Sequence, residues 1–139
     1  MSNLPQIEVL SDRDAIDVMV TRRGRVMGKL TAEYRAGCRD DLRNLREQLG
    51  KDWIETYVVT GARIDSSLFN QGWGVRMYLA AAKEAAAHEC AMAPHACIGV
   101  GGTSAAANRV WNSRRVSAEV LRAGRLIYWL GTKQPFPPR

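Results

Sequence analysis

The sequence predicts an α/β (α+β) fold, a mixed and mostly antiparallel central sheet flanked by helices. Three observations carry that prediction. Hairpin patterns stand near both ends of the chain, helix-like and strand-like segments alternate between them, and 139 residues suffice for one hydrophobic core. With 46% hydrophobic and 24% charged residues, the composition is that of a folded globular protein rather than a disordered or fibrous one.

Residues 15–21 and 25–33 alternate apolar and polar side chains around TRRGR, where Gly24 permits a tight bend, so they are expected to form the first hairpin. From Cys38 the apolar positions become Cys38, Leu42, Leu45 and Leu49, a narrow helical stripe that Gly50 should end. Residues 53–60 (WIETYVVT) are aromatic and β-branched and too short for a helix, which predicts an inner strand, with Gly61 offering a bulge or bend.

An alanine-rich helix is expected over residues 73–91, broken by Pro94, and ACIGV at 96–100 reads as a short buried strand. Ser104 is a natural N-cap for a helix reaching about Ser113. Residues 115–121 and 125–130 around Ala123 and Gly124 read as a second hairpin, with PFPPR inside an extended tail, 131–139. No repeat or low-complexity block divides the chain, so residues 1–139 are expected to be one domain.

The formal charge of +6 is concentrated in two segments, 21–51 and 109–139. Sixteen of the twenty basic residues are arginine, whose planar fork matches phosphate oxygens. Arg22, Arg23 and Arg25, with Arg109, Arg114, Arg115, Arg122 and Arg125, offer a candidate face for nucleic acid or an acidic protein; a merely solvated surface weighs against it. No apolar run approaches a membrane span and the N-terminus lacks signal-peptide features, so a cytoplasmic protein with no membrane partner is expected.

Cys38, Cys90 and Cys97 are odd in number and expected to be reduced. His88, Cys90, His95 and Cys97 fall within ten residues, but each pair has one intervening residue where structural zinc sites use two to four, so no metal is expected.

Two glycines, Gly72 and Gly74, stand before the alanine-rich helix in IDSSLFNQGWGV. Glycine there is either packing punctuation or a gap through which a phosphate reaches the first helical amides. Ile64 and Asp65 followed at fixed spacing by Gly72 and Gly74 resembles the central motif of the GNAT superfamily, the acyl-CoA-dependent N-acyltransferases; Ser66 stands where that motif has Pro, and Phe69 where it has a basic residue or Gln. A second match places Ser104 at the family's Asn, Ala107 at its Ala and Trp111 at its Tyr.

The resemblance covers about residues 53–130 and implies acetyl-CoA or another acyl-CoA as substrate, with the acyl group passing to an amine. It also implies that backbone N–H groups of Asn70, Gln71, Gly72, Trp73, Gly74 and Val75 hold the pyrophosphate, that Arg63 and Ile64 pair with the pantetheine arm, and that Ser104 and Trp111 border the cofactor. Glu55, on the strand before the glycine turn, is the candidate base; Tyr57, Asp65 and Tyr128 are weaker candidates. Indole has no acidic proton to lend a departing thiolate, so Trp111 fits poorly as the acid that the family's tyrosine supplies.

The family usually has two helices between its first two strands, and the segment before Ala15 is too short for them. A short, divergent member is expected, and a homo-oligomer or partner completing the N-terminal half is left open. The alternative is a catalytically inactive relative that uses its basic surface for binding.

Overall fold

A computed structural model describes residues 4–35, 39–94 and 109–131. Their strands form one seven-stranded sheet: β1 (Gln6–Ser11), β2 (Ala15–Arg22), β3 (Arg25–Tyr34), β4 (Glu55–Ile64), β5 (Cys90–Ala93), β6 (Val120–Ala123) and β7 (Leu126–Trp129), in the spatial order β1-β2-β3-β4-β5-β7-β6. Every pairing is antiparallel except β4 with β5, which runs parallel from Glu55 opposite Cys90 to Val58 opposite Ala93. The sheet is thus mixed and mostly antiparallel.

Binary patterning sets the faces of the sheet. Ile16, Val18 and Val20 alternate along β2 and are fully buried, and they share a core with Leu30, Tyr57, Met77, Tyr78, Ala81, Ala85 and Trp111. That core lies under α2 (Trp73–Ala87), which packs across the sheet from β1 to β7. A smaller cluster, Leu45, Ile54, Val58, Ala91, Leu126 and Tyr128, lies under α1 (Arg39–Leu49). Leu42, Leu45 and Leu49 are the helical stripe that seats α1, and Gly50 ends it at φ +65°, a conformation that favours glycine.

The first hairpin has its two-residue turn at Arg23 and Gly24, both at positive φ, as type I′ geometry requires. The inner strand runs further than its apolar content suggests, through Gly61 to Ile64. Register slips there: Val59 faces Ala32 and Gly61 faces Thr31, leaving Thr60 as the extra residue, its hydroxyl donating to the Thr31 carbonyl at 3.3 Å.

Three expectations are corrected. The alanine-rich helix stops at Ala87 rather than Ala91: His88 caps it, Glu89 turns left-handed at φ +58°, and Cys90–Ala93 becomes β5. All four β5 residues are buried, and pairing with β4 overrides the helix preference of CAMA. Residues 114–119 form a short helix, α3 (Arg114–Glu119), because Ser113 Oγ accepts from the Val116 N–H and buried Val116 anchors the turn; only 120–129 keep the hairpin. A seventh strand, β1, precedes the first hairpin through a turn in which the Asp12 carboxylate accepts from the N–H groups of Asp14 and Ala15. The expected strand at 96–100 and the Ser104 cap lie outside the described residues; residues 109–111 are helical.

Candidate functional site

The chain leaves β4 at Ile64 and enters α2 at Trp73, and side chains fix the loop between them. Asp65 donates its N–H to the Met27 carbonyl at 2.7 Å, and its carboxylate accepts from the Ser67 N–H at 2.9 Å. Hydrogen bonding to the Ser67 side chain and then its amide holds the Asp65 carboxyl below its usual range. The Gln71 amide donates to the Ser67 carbonyl at 2.9 Å, while Asn70 and Gly72 both take positive φ. Asp65 and Gln71 are therefore loop-holding residues.

The two glycines differ. At Gly74 an added Cβ would lie 3.1 Å from Val110 Cγ2, so this glycine lets α2 sit closely on residues 109–111. Gly72 sits at φ +83°, and the nearest atom to its missing Cβ is Arg115 Nη1 at 4.0 Å. It is the N-cap of α2 and offers no side chain to the first helical amides; the first bond back to it comes from the Arg76 N–H. The positive end of a fifteen-residue helix thus opens towards an arginine.

Beside it a groove of about 400 Å³ is lined by Ile7, Trp73, Arg76, Leu79, Arg115 and Glu119, among others. The Arg76 guanidinium stacks 4.5 Å from the Trp73 ring centre, and Glu119 is engaged by the Trp129 indole N–H at 3.2 Å. Two guanidiniums and a helix N-terminus make this an anion-attracting corner. Arg63 and Ile64, at the end of β4, pair with Lys29 and Gly28 of β3; Val75 packs on the core.

Trp111 is buried, with its ring 5.7 Å from Tyr78 in an edge-to-face arrangement and its carbonyl accepting from Arg122. That is a core residue, packed in the same cluster as Leu79, and it does not itself line the groove. Ser104 lies outside the described residues.

Glu55 is at the opposite end of the molecule. It starts β4, pairs with Cys90 and donates its N–H to the Glu89 carbonyl just past the C-terminus of α2. The length of α2, about 22 Å at 1.5 Å per residue, separates it from Gly72. Its carboxylate accepts the Tyr34 hydroxyl, which pushes the Tyr34 phenol up to about 12. A cavity of about 550 Å³ opens here between Tyr34, Trp53, Tyr57, His88 and Cys90. Tyr57 donates to the carbonyls of Asp12 and Arg13 at 3.1 and 3.3 Å, and burial raises its pKa. Burial likewise lifts the Cys90 thiol to about 11, far from a reactive thiolate. Tyr128, another weak candidate, donates to Glu89 at 3.4 Å, and Glu89 pairs with Lys51 at 2.9 Å.

Ser11, His88 and Glu84 meet nearby, yet both Ser11 Oγ (3.1 Å) and Glu84 Oε2 (3.6 Å) lie on the same imidazole nitrogen, Nε2. A nucleophile relay needs the carboxylate on the other nitrogen, so this cluster is a tether between β1 and α2. Among the described residues no group of three or more His, Cys, Asp or Glu side chains forms a metal site, and no helix is long and apolar enough to cross a membrane.

Sequence reasoning missed the contributions of Arg76, Tyr34 and Trp53, and named Arg115 only as one of many arginines. Arg76 stacks on Trp73 one helical turn away, a local pairing the spacing could have shown, whereas Tyr34 reaches Glu55 only because β3 pairs with β4. Comparison with family models, curated proteins and solved structures finds no match in any of the three.

Proposed function

We propose that this chain is an acyl-CoA-binding protein of the acyl-CoA-dependent N-acyltransferase type, cytoplasmic, with the coenzyme A pyrophosphate at the N-terminus of α2. The observation that carries this reading is Gly72: it leaves the first turn of α2 uncovered, and the nearest side-chain atom to its missing Cβ is the Arg115 guanidinium at 4.0 Å. The preceding strand and the loop held by Asp65 support it further, because they bring the N-terminus of α2 in just after the C-terminal end of β4.

In this reading the amine attacks the thioester carbonyl directly and the coenzyme A thiolate departs, with rate gained chiefly from positioning. Glu55, about a helix length away, is poorly disposed to be the base, and buried Trp111 has no acidic proton to give. Those two observations favour a second reading, a non-catalytic protein that keeps the acyl-CoA pocket or its basic surface for binding a nucleic acid or acidic protein.

Calorimetric titration with acetyl-CoA and coenzyme A tests the first reading. Micromolar binding weakened about tenfold or more by Arg115→Glu is the expected result. Arg115 is exposed, so the variant should fold. A folded wild-type protein that gives no heat overturns it. Salt-sensitive binding of a polynucleotide in its place supports the second reading.

A further inference from the structure

The chain carries net positive charge, yet the cavity at the start of β4 has the opposite character. Asp14, Glu55 and Glu89 border it against one guanidinium, Arg13. Lys51 answers Glu89 at 2.9 Å, whereas the Glu55 carboxylate accepts from a neutral phenol, Tyr34, and no ion pair to Glu55 occurs among the described residues. Around this carboxylate the protein leaves aromatic surface in water: Trp53 is 69% exposed and Tyr34 43%. Tyr57 stands edge-on to Tyr34 with ring centres 5.8 Å apart, forming a wall of the same cavity.

Exposed aromatic faces beside a carboxylate that makes no ion pair among the described residues form the arrangement that binds an organic cation, through the ring quadrupoles on its alkyl shell and Coulomb attraction at its centre. Trp53 already holds one cation in this way, the Arg46 guanidinium 5.8 Å from its ring centre. The volume, about 550 Å³, falls within the range of small-ligand sites.

We propose that this cavity is a second binding site, for an organic ammonium ion, with Glu55 as counter-charge and Tyr34, Trp53 and Tyr57 as its aromatic walls. It is independent of the glycine turn, from which the length of α2 separates it. Glu55 is here a binding residue rather than a base, and Tyr34 positions it by holding one carboxylate oxygen.

The test is calorimetric titration with choline and with its neutral isostere 3,3-dimethylbutan-1-ol, at constant ionic strength. Saturable choline binding in the millimolar range or tighter is expected, with the neutral alcohol about tenfold weaker. Glu55→Gln keeps the side-chain shape and Trp53→Ala removes an exposed ring, so both variants should fold, and each should weaken choline about tenfold. Arg115→Glu should leave choline binding unchanged, which separates this site from acyl-CoA binding. Equal binding of choline and the alcohol, no binding of choline, or unchanged binding in folded Glu55→Gln overturns the proposal, as does a loss caused by Arg115→Glu.

Discussion

At its Gly72 end, α2 meets the sheet with exposed backbone, two arginines and a stacked tryptophan; at its His88 end it meets β4 with carboxylates, phenols and a buried thiol. The first end is a place for negative charge, built mostly from backbone direction. The second is a place for positive charge, built from side chains that three separate strands and loops deliver. One helix therefore divides the molecule electrostatically, and a single ligand spanning both ends would have to carry opposite charges about 22 Å apart. Two separate occupants fit the geometry better.

The most damaging change should fall in the core beneath the glycine end of α2. Trp111→Ala removes a buried ring packed on Tyr78 and is expected to cost about 3–5 kcal/mol in urea unfolding. Should the cost be below about 1 kcal/mol, Trp111 would be free to serve a ligand and the contrast would weaken.

The two glycines separate next. Gly74→Val pushes a side chain into Val110 and should cost about 1–3 kcal/mol, whereas Gly72→Ala meets no atom closer than 4.0 Å and loses only the positive-φ allowance, about 1–2 kcal/mol. Coenzyme A affinity should fall in the first variant only as far as folding does.

At the carboxylate end the effects are on titration. The Tyr34 phenol, raised to about 12 chiefly by its hydrogen bond to Glu55, should fall towards 10 in Glu55→Gln, read from tyrosinate absorbance. Because the folded value is the raised one, the stabilisation is complete below pH 10 and is lost as pH climbs from 10 through about 12. An unchanged titration would mean the hydrogen bond does not persist in solution.

The smallest effect belongs to the solvent-exposed Lys51–Glu89 pair. Its hydrogen bond to Lys51 depresses the Glu89 carboxyl, so its contribution is present above pH 4.5 and fades as pH falls below that. Lys51→Met should leave the urea midpoint at neutral pH within error, since water screens such pairs. A clear destabilisation would make the pair a structural part of the cavity rim.

Periodicity made the first hairpin, α1, the core of β4 and the start of α2 legible, because Ile16, Val18 and Val20, or Leu42, Leu45 and Leu49, repeat with the period of their element. It failed at Cys90–Ala93, where a strand buried on both faces has no alternation and its alanines and methionine favour helix. It failed again at Arg114–Glu119, where Val116 and Ala118 alternate in step with Val120 of β6 and mimic a strand until the Ser113 cap is seen. The glycine turn was visible as a motif; that Gly74 is packing and Gly72 is opening was not, since the difference rests on Val110 and Arg115, more than thirty residues away.

By itself the sequence determined the class of fold, the basic balance and the place of the turn before α2, because hydrophobic period, side-chain charge and glycine's freedom at positive φ are local properties. Only the tertiary structure decided that β5 runs parallel beside β4, that Trp111 belongs to the core, and that Glu55 faces an aromatic cavity a helix length from Gly72. Those are consequences of which strands become neighbours, and pairing between distant segments is fixed by the burial of the whole sheet rather than by any short stretch.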